Sequence, residues 1–342
     1  MIEISHLSKV YGGKAALTDA TFTVHPGQVT GFLGPNGAGK STTMRIIMGL
    51  ERPTSGSATI MGKPLHQHSA PLRTAGALLD ARSLHPARTA RSSLLALAES
   101  NGLPAARVDE VLDLTGLGGV ATKRPGGFSL GMGQRLGIAA ALLGDPQVLL
   151  FDEPVNGLDP EGVTWVRRLC RNLAAEGRTV LISSHLMSEM AQTADRVVVI
   201  GRGRILADAT LDDFVSGLGG EYVKVSTPDT ARLGDALHAT GLDVRREGPD
   251  TISVRGATSA QVGRTAFELG VLLEELVQVR PSLEDAYLRL TATEVEYRSG
   301  SVGPSDSVIG EVPLDEALHP TGGRRSRREA EKAARGQAGE KR

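Results

Sequence analysis

The chain has 342 residues, 40% of them hydrophobic and 23% charged, with a formal net charge of -1. That is the composition of a soluble globular protein long enough for two domains, and the near-neutral balance argues against a nucleic-acid binder, which carries a basic excess or stripe. Cys170 is the only cysteine, excluding an internal disulfide and a cysteine-based zinc site; the start, MIEISHLSKVYGG, lacks a signal-peptide core and no apolar run approaches about 18 residues, so the chain is expected to stay in the cytosol where it is made.

Residues 1 to about 215 alternate short apolar runs with helical stretches, the pattern of strands crossing over through helices in a largely parallel sheet. The run QVTGFLG leads into GPNGAGKST, which fits Gly-x-x-x-x-Gly-Lys-Ser/Thr from Gly34 to Ser41. Positions without side chains let backbone N–H groups turn inward on one anion, and the following helix points its positive end at the same place. The candidate cradle is Gly34, Pro35, Asn36, Gly37, Ala38, Gly39, Lys40, Ser41 and Thr42. Lys40 would reach the outer phosphates and the Ser41 hydroxyl would hold magnesium. The plainer alternative is a glycine turn before an ordinary helix. His66 and His68 share the spacing of a metal pair but have no further ligands beside them, and read as an exposed turn.

GGFSLGMGQRLGIAAALLGDP, residues 126–146, starts with small residues and turns helical. Ser129 stands where a helix cap would be, and Gly131 leaves backbone exposed. The segment serves either as a second anion-binding helix start or as plain capping. QVLLFDEPVNGLDPEG then ends an apolar strand in adjacent carboxylates. Asp152 is placed to meet magnesium, and Glu153 to orient or deprotonate an attacking water. Trp165 falls on the apolar face of the following helix, and TVLISS runs into His185. The three strand ends can converge on one site, because ligands of open α/β sheets gather beyond the carboxyl ends of strands.

From Glu221 to about Ala292 the order is strand, helix, strand, strand, helix, strand and a closing helix, SLEDAYLRLT, which is the ferredoxin-like arrangement behind a Gly217–Gly220 linker. After Thr293 the periodicity fades into a polar, charged stretch, expected to be disordered or partly helical. Its basic cluster could touch anionic lipid or nucleic acid, but interleaved Glu329, Glu331 and Glu340 favour a solvated tail.

GPNGAGKST, FSLGMGQR, LLFDEP, NGLD and SSH, in that order, resemble the Walker A, signature, Walker B, D-loop and switch-histidine motifs of ABC transporter ATP-binding subunits. The resemblance covers roughly the first two-thirds of the chain. RPSLEDAYLRLT resembles the end of ATPase subunits of ABC-2 type drug, antibiotic and lantibiotic exporters. The implied fold is an α/β P-loop NTPase of the ABC ATPase kind over residues 1–216, with a mostly parallel sheet, a small N-terminal antiparallel β subdomain and a helical subdomain. A small α+β ferredoxin-like domain over 221–292 and a disordered tail over 293–342 follow.

The resemblance also implies a dimer of two copies, or of close paralogues, with ATP and Mg²⁺ held between one phosphate loop and the opposite signature. Ser129 and Gly131 would then bind the γ-phosphate held by Lys40 of the partner subunit. His185 would contact the γ-phosphate, Asp159 would sit across the interface, and Tyr11 would stack on adenine unless it is a core or rim aromatic. Two departures stand out. FSLGM has Leu130 and Met132 where the family carries a glycine and a glutamine, though Ser129 and Gly131 remain. Asp80 takes the place of the Q-loop glutamine, where it is either a magnesium contact through water or an ordinary loop acid.

The expected function is an ATP-hydrolysing subunit, peripheral on the inner face of the cell membrane, that drives a separately encoded transmembrane permease exporting drugs, antibiotics or peptides. No nucleic-acid partner is expected. The alternative is a soluble ABC-type ATPase acting on DNA or ribosomes, but no sustained heptad run separates Ser41 from Ser129 and only one cassette is found.

Overall fold

A computed structural model describes residues 1–80, 85, 87–217, 221–279 and 282–299, with the backbone alone from residue 292. From the N-terminus, β1 (Ile2–Tyr11) and β2 (Lys14–Val24) pair as an antiparallel hairpin. β3 (Val29–Leu33) runs through the glycine loop into α1 (Lys40–Ile47), and β4 (Ser55–Ile60) returns to pair with β1. A single helical turn, α2 (Pro71–Thr74), precedes β5 (Ala75–Leu78) and the helices α3 (Ala90–Ser100), α4 (Ala105–Leu114) and α5 (Leu130–Leu142). Then β6 (Val148–Asp152), α6 (Pro160–Ala175), β7 (Thr179–Ser184), α7 (Met187–Thr193) and β8 (Arg196–Gly201) alternate, and β9 (Arg204–Thr210) and α8 (Leu211–Gly217) follow.

The central sheet has the order β5-β6-β7-β3-β8-β9, parallel except for β9, and a three-stranded antiparallel sheet has the order β2-β1-β4. Both faces of the central sheet are covered, which is why its strands read as continuous apolar runs. Alternate residues feed two cores: Leu149 and Phe151 of β6 join one made with α3 to α8, while Val148 and Leu150 join another made with α1 and the N-terminal sheet. α6 shows the helical counterpart, burying Val166, Leu169, Cys170, Leu173 and Ala174 in one stripe. Trp165 packs half-buried against the same core, as expected, with the Arg135 guanidinium 4.8 Å from its ring centroid.

The register positions the site. Asp152 pairs with Ser183, and Leu33 pairs with Ser184. The chain therefore leaves β3, β6 and β7 at one level, and the segments beginning at Gly34, Glu153 and His185 emerge side by side.

β10 (Tyr222–Ser226), α9 (Thr230–Ala239), β11 (Asp243–Arg246), β12 (Thr251–Arg255), α10 (Ser259–Leu269) and β13 (Glu275–Val279) follow the expected order. Their antiparallel sheet, β11-β12-β10-β13, shares a separate core with the two helices, around Val223, Val225, Leu233, Ile252 and Val262. The closing helix, α11 (Leu283–Ser299), departs from the reading in two ways. It runs on past the boundary at residue 292. Its Leu283 and Ala286 are buried in the large first core rather than in that of the small domain, with Tyr287 and Leu290 packed beside them. The spacing i, i+3, i+4, i+7 gives that stripe. Met1–Tyr297 form one compact unit. The linker residues Leu218, Gly219 and Gly220, and the tail from Gly300, lie outside the described residues.

Candidate functional site

The glycine loop is shaped by what surrounds it. A Cβ on Gly34 would stand 2.3 Å from the Ile200 carbonyl oxygen of β8. Gly39, immediately before α1, has φ +114°, and a Cβ there would meet the Leu17 side chain at 2.6 Å, so both space and backbone demand glycine. No side chain caps α1, which leaves its leading N–H groups for an anion. Lys40 is only 6% exposed, and its ammonium donates to the carbonyls of Gly34 (2.6 Å) and Pro35 (3.3 Å) in its own loop.

Asp152 ends β6, and its Oδ1 accepts a short hydrogen bond from the Ser183 hydroxyl of β7. Glu153 has φ +51°, the left-handed region that a glutamate rarely occupies and that tends to persist at functional sites. Its N–H donates to Ser183 Oγ at 2.9 Å. Nδ1 of His185 donates to Glu153 Oε2 at 2.6 Å. Glu153 Oε1 is buried without a hydrogen-bond partner among the described residues and lies 3.8 Å from Lys40 Nζ. Pro35, Asn36, Gly37, Gly39, Lys40, Ser41, Thr42, Asp152 and Glu153 line one cleft, with Gly34 and Ala38 buried behind it.

Tyr11 is 44% exposed, and its phenol donates to the Glu51 carboxylate. Lys9 covers the ring at 4.8 Å from the centroid. The hydrogen bond to Glu51 is the main cause that raises the phenol's pKa above its ordinary value. Asp80 is exposed just beyond β5, on the strand next to β6, and does not line the cleft. Ser129 and Asp159 are helix caps: Ser129 accepts from the Met132 N–H (3.2 Å) ahead of α5, and Asp159 from the Gly162 N–H (2.9 Å) ahead of α6. A Cβ on Gly131 would lie 2.9 Å from the Gly157 carbonyl oxygen, so the start of α5 is pressed onto the loop before α6. Ser129, Gly131 and Asp159 do not line the cleft of their own chain. His68 is engaged elsewhere, its Nε2 hydrogen-bonded to the Ile60 carbonyl at 2.8 Å.

Three contributors escape a reading of the motifs alone. Ser183 sits in SSH, but only the strand register reveals that it joins Asp152 to Glu153. Gln134, one turn inside α5, donates to the Glu153 carbonyl at 3.2 Å. Glu51 lies far from Tyr11 in sequence, and nothing in its surroundings marks it.

The cradle, the Glu153 oxygen that has no hydrogen bond among the described residues, and the hard oxygen donors Ser41 and Asp152 on one cleft together fit a triphosphate with a divalent cation. Residues 17–156 match the family model described as ABC transporter, and residues 221–284 match a model described as a domain of unknown function. The chain is 34% identical over 297 residues to the bacitracin transport ATP-binding protein BcrA of Bacillus licheniformis, across 85% of this chain and 97% of that protein. It is 33% identical over 308 residues to the Nod factor export ATP-binding protein I of Rhizobium etli, across 86% and 94%. A solved ATP binding subunit of an ABC transporter superposes with a TM-score of 0.59 at 31% identity, over 64% of this chain and 93% of that one.

Proposed function

The chain belongs to the ATP-binding subunits of ABC transporters and is an ATPase of that family; from that premise we propose that it forms ATP-dependent pairs that drive a separate transmembrane permease exporting a drug, antibiotic or peptide. The observation that carries the reading is Glu153, held in a left-handed backbone with one carboxylate oxygen on His185 and the other buried 3.8 Å from the Lys40 ammonium. The name of the Nod factor relative, an export ATP-binding protein, supports export, and that of the bacitracin relative supports transport. Among the described residues no helix is long and apolar enough to cross a membrane, so the work would pass by contact to the permease, with this subunit on its cytoplasmic side.

In this reading the loop N–H groups and Lys40 hold the outer phosphates, and Tyr11 stacks on adenine. Ser41 and Asp152 would hold Mg²⁺, while Asp80, outside the cleft lining, would either meet it through water or serve as an ordinary loop acid; when bound, the ion neutralises charge on the transferring phosphoryl group. Glu153 orients a water and takes its proton as the water oxygen bonds to the γ-phosphorus and the bond to the bridging oxygen breaks. His185 holds the carboxylate and faces the γ-phosphate. Ser129 and Gly131 of the partner subunit complete the anion site, and Asp159 lies at the same seam. The second copy is an identical chain or a close paralogue, and closure is driven by the higher affinity of the closed pair for ATP.

Glu153→Gln keeps the shape and removes the proton acceptor. It is expected to cut turnover by about a thousandfold, on the scale of a lost general base, and to accumulate an ATP-bound pair visible by light scattering. Turnover at the original rate would remove Glu153 from this role.

A further inference from the structure

Gln134 lies one turn inside α5 and is 6% exposed. Its side-chain amide crosses to the loop after β6, where Nε2 donates to the Glu153 carbonyl at 3.2 Å. The carbonyl can only accept, which settles which end of the amide faces it. The other end, Oε1, is buried with no hydrogen-bond partner among the described residues. Retaining a buried, half-satisfied amide is unfavourable for the fold by itself, so its use lies in what Nε2 holds. That group is the backbone of Glu153, at φ +51°.

The two ends of the Glu153 backbone are fixed from opposite sides. Its N–H is bound by Ser183 of β7 at 2.9 Å, and its carbonyl by Gln134 of α5. The carbonyl also accepts from the Asn156 N–H at 3.2 Å, so it would stay satisfied if Gln134 were changed. Gly131 and Gln134 share a helix face, being three residues apart, and the same loop meets both: Gly157 presses on Gly131 while Glu153 takes the amide. Ser129 caps that helix.

We propose that Gln134 is a positioning residue for Glu153. It holds the glutamate in its left-handed conformation, so that the carboxylate stays aimed between Lys40 and His185, and ties that aim to the helix whose start carries Ser129 and Gly131. The proposal rests on the reading of Glu153 as the group that activates water.

The test compares the full-length Gln134→Met and Gln134→Asn chains with wild type. Methionine keeps the volume and removes both the donor and the unpartnered acceptor; asparagine keeps the amide but falls one methylene short. Both variants are expected to lose about 10- to 100-fold in kcat, the scale of an angstrom-sized misplacement at a reacting centre. ATP affinity and, for methionine, melting temperature stay as in wild type. A packing role would instead lower melting temperature and affinity together. Wild-type kcat in either folded variant overturns the proposal. Glu153→Gln measured in parallel separates the two ideas: if it is inactive while both Gln134 variants run at full rate, only the clamp fails; if it hydrolyses ATP normally, the premise fails first.

Discussion

Lys40 is a buried ammonium whose acceptors are two carbonyls of its own loop. That arrangement keeps the charge satisfied and within 3.8 Å of Glu153, so a phosphate entering the cleft exchanges carbonyl contacts for charge-assisted ones. Lys40→Ala is expected to weaken ATP binding by about 10- to 100-fold, the equivalent of a buried charged hydrogen bond. Titration calorimetry checks it, and unchanged affinity would count against the loop as the phosphate cradle. At this scale Asp152, Glu153 and His185 could be picked out because they follow apolar runs at strand ends, which register brings together, and Lys40 and Ser41 because the glycine spacing after β3 sets them at the start of α1. Glu51 could not, because its meeting with Tyr11 depends on where β4 returns beside β1 rather than on any local pattern. Asp80 reads in the sequence as a magnesium contact through water or an ordinary loop acid, and it stands exposed past β5 without lining the cleft.

Strands with both faces buried and helices with a single apolar stripe are the most readable elements here, and β3, β6, β7 and α6 stand where the hydrophobic pattern puts them. The six elements of the small domain were equally readable, since its strands alternate and its turns carry glycine and proline. α11 was readable as a helix but not by its destination. A stripe of Leu283, Ala286, Tyr287 and Leu290 says that one face is buried, and only the fold says that it is buried in the large core. Leu283, at 2% exposure, makes the consequence measurable. Leu283→Ala is expected to destabilise the protein by about 2–5 kcal/mol, the range for truncating a buried leucine. Denaturant unfolding should report that loss in the transition of the ATPase core; a loss confined to the small domain would contradict the docking of α11.

For the molecule as a whole, the residues proposed to hold the γ-phosphate lie in two places on one chain. The cleft holds Lys40 and Glu153, while Ser129 and Gly131 stand at the start of α5 outside it. The proposed symmetric pair would bring each chain's helix start to the other's cleft by a two-fold operation and make both sites alike. Coupling to a membrane protein is the second whole-molecule expectation. A polytopic permease should copurify with the chain from detergent-solubilised membranes, and recovery free of any membrane protein would argue for a soluble role. The expectation of pairing rests on the order of the motifs and on the separation of the α5 start from the cleft within one chain.

The shared site is tested most directly by a crystal structure of the full-length Glu153→Gln chain grown with ATP and Mg²⁺. The triphosphate is predicted to lie against Lys40 and the glycine loop of one copy, with Ser129 and Gly131 of the partner subunit closing on its γ-phosphate. A triphosphate bound in that cleft with no second chain within hydrogen-bonding reach, or bound elsewhere, would contradict it.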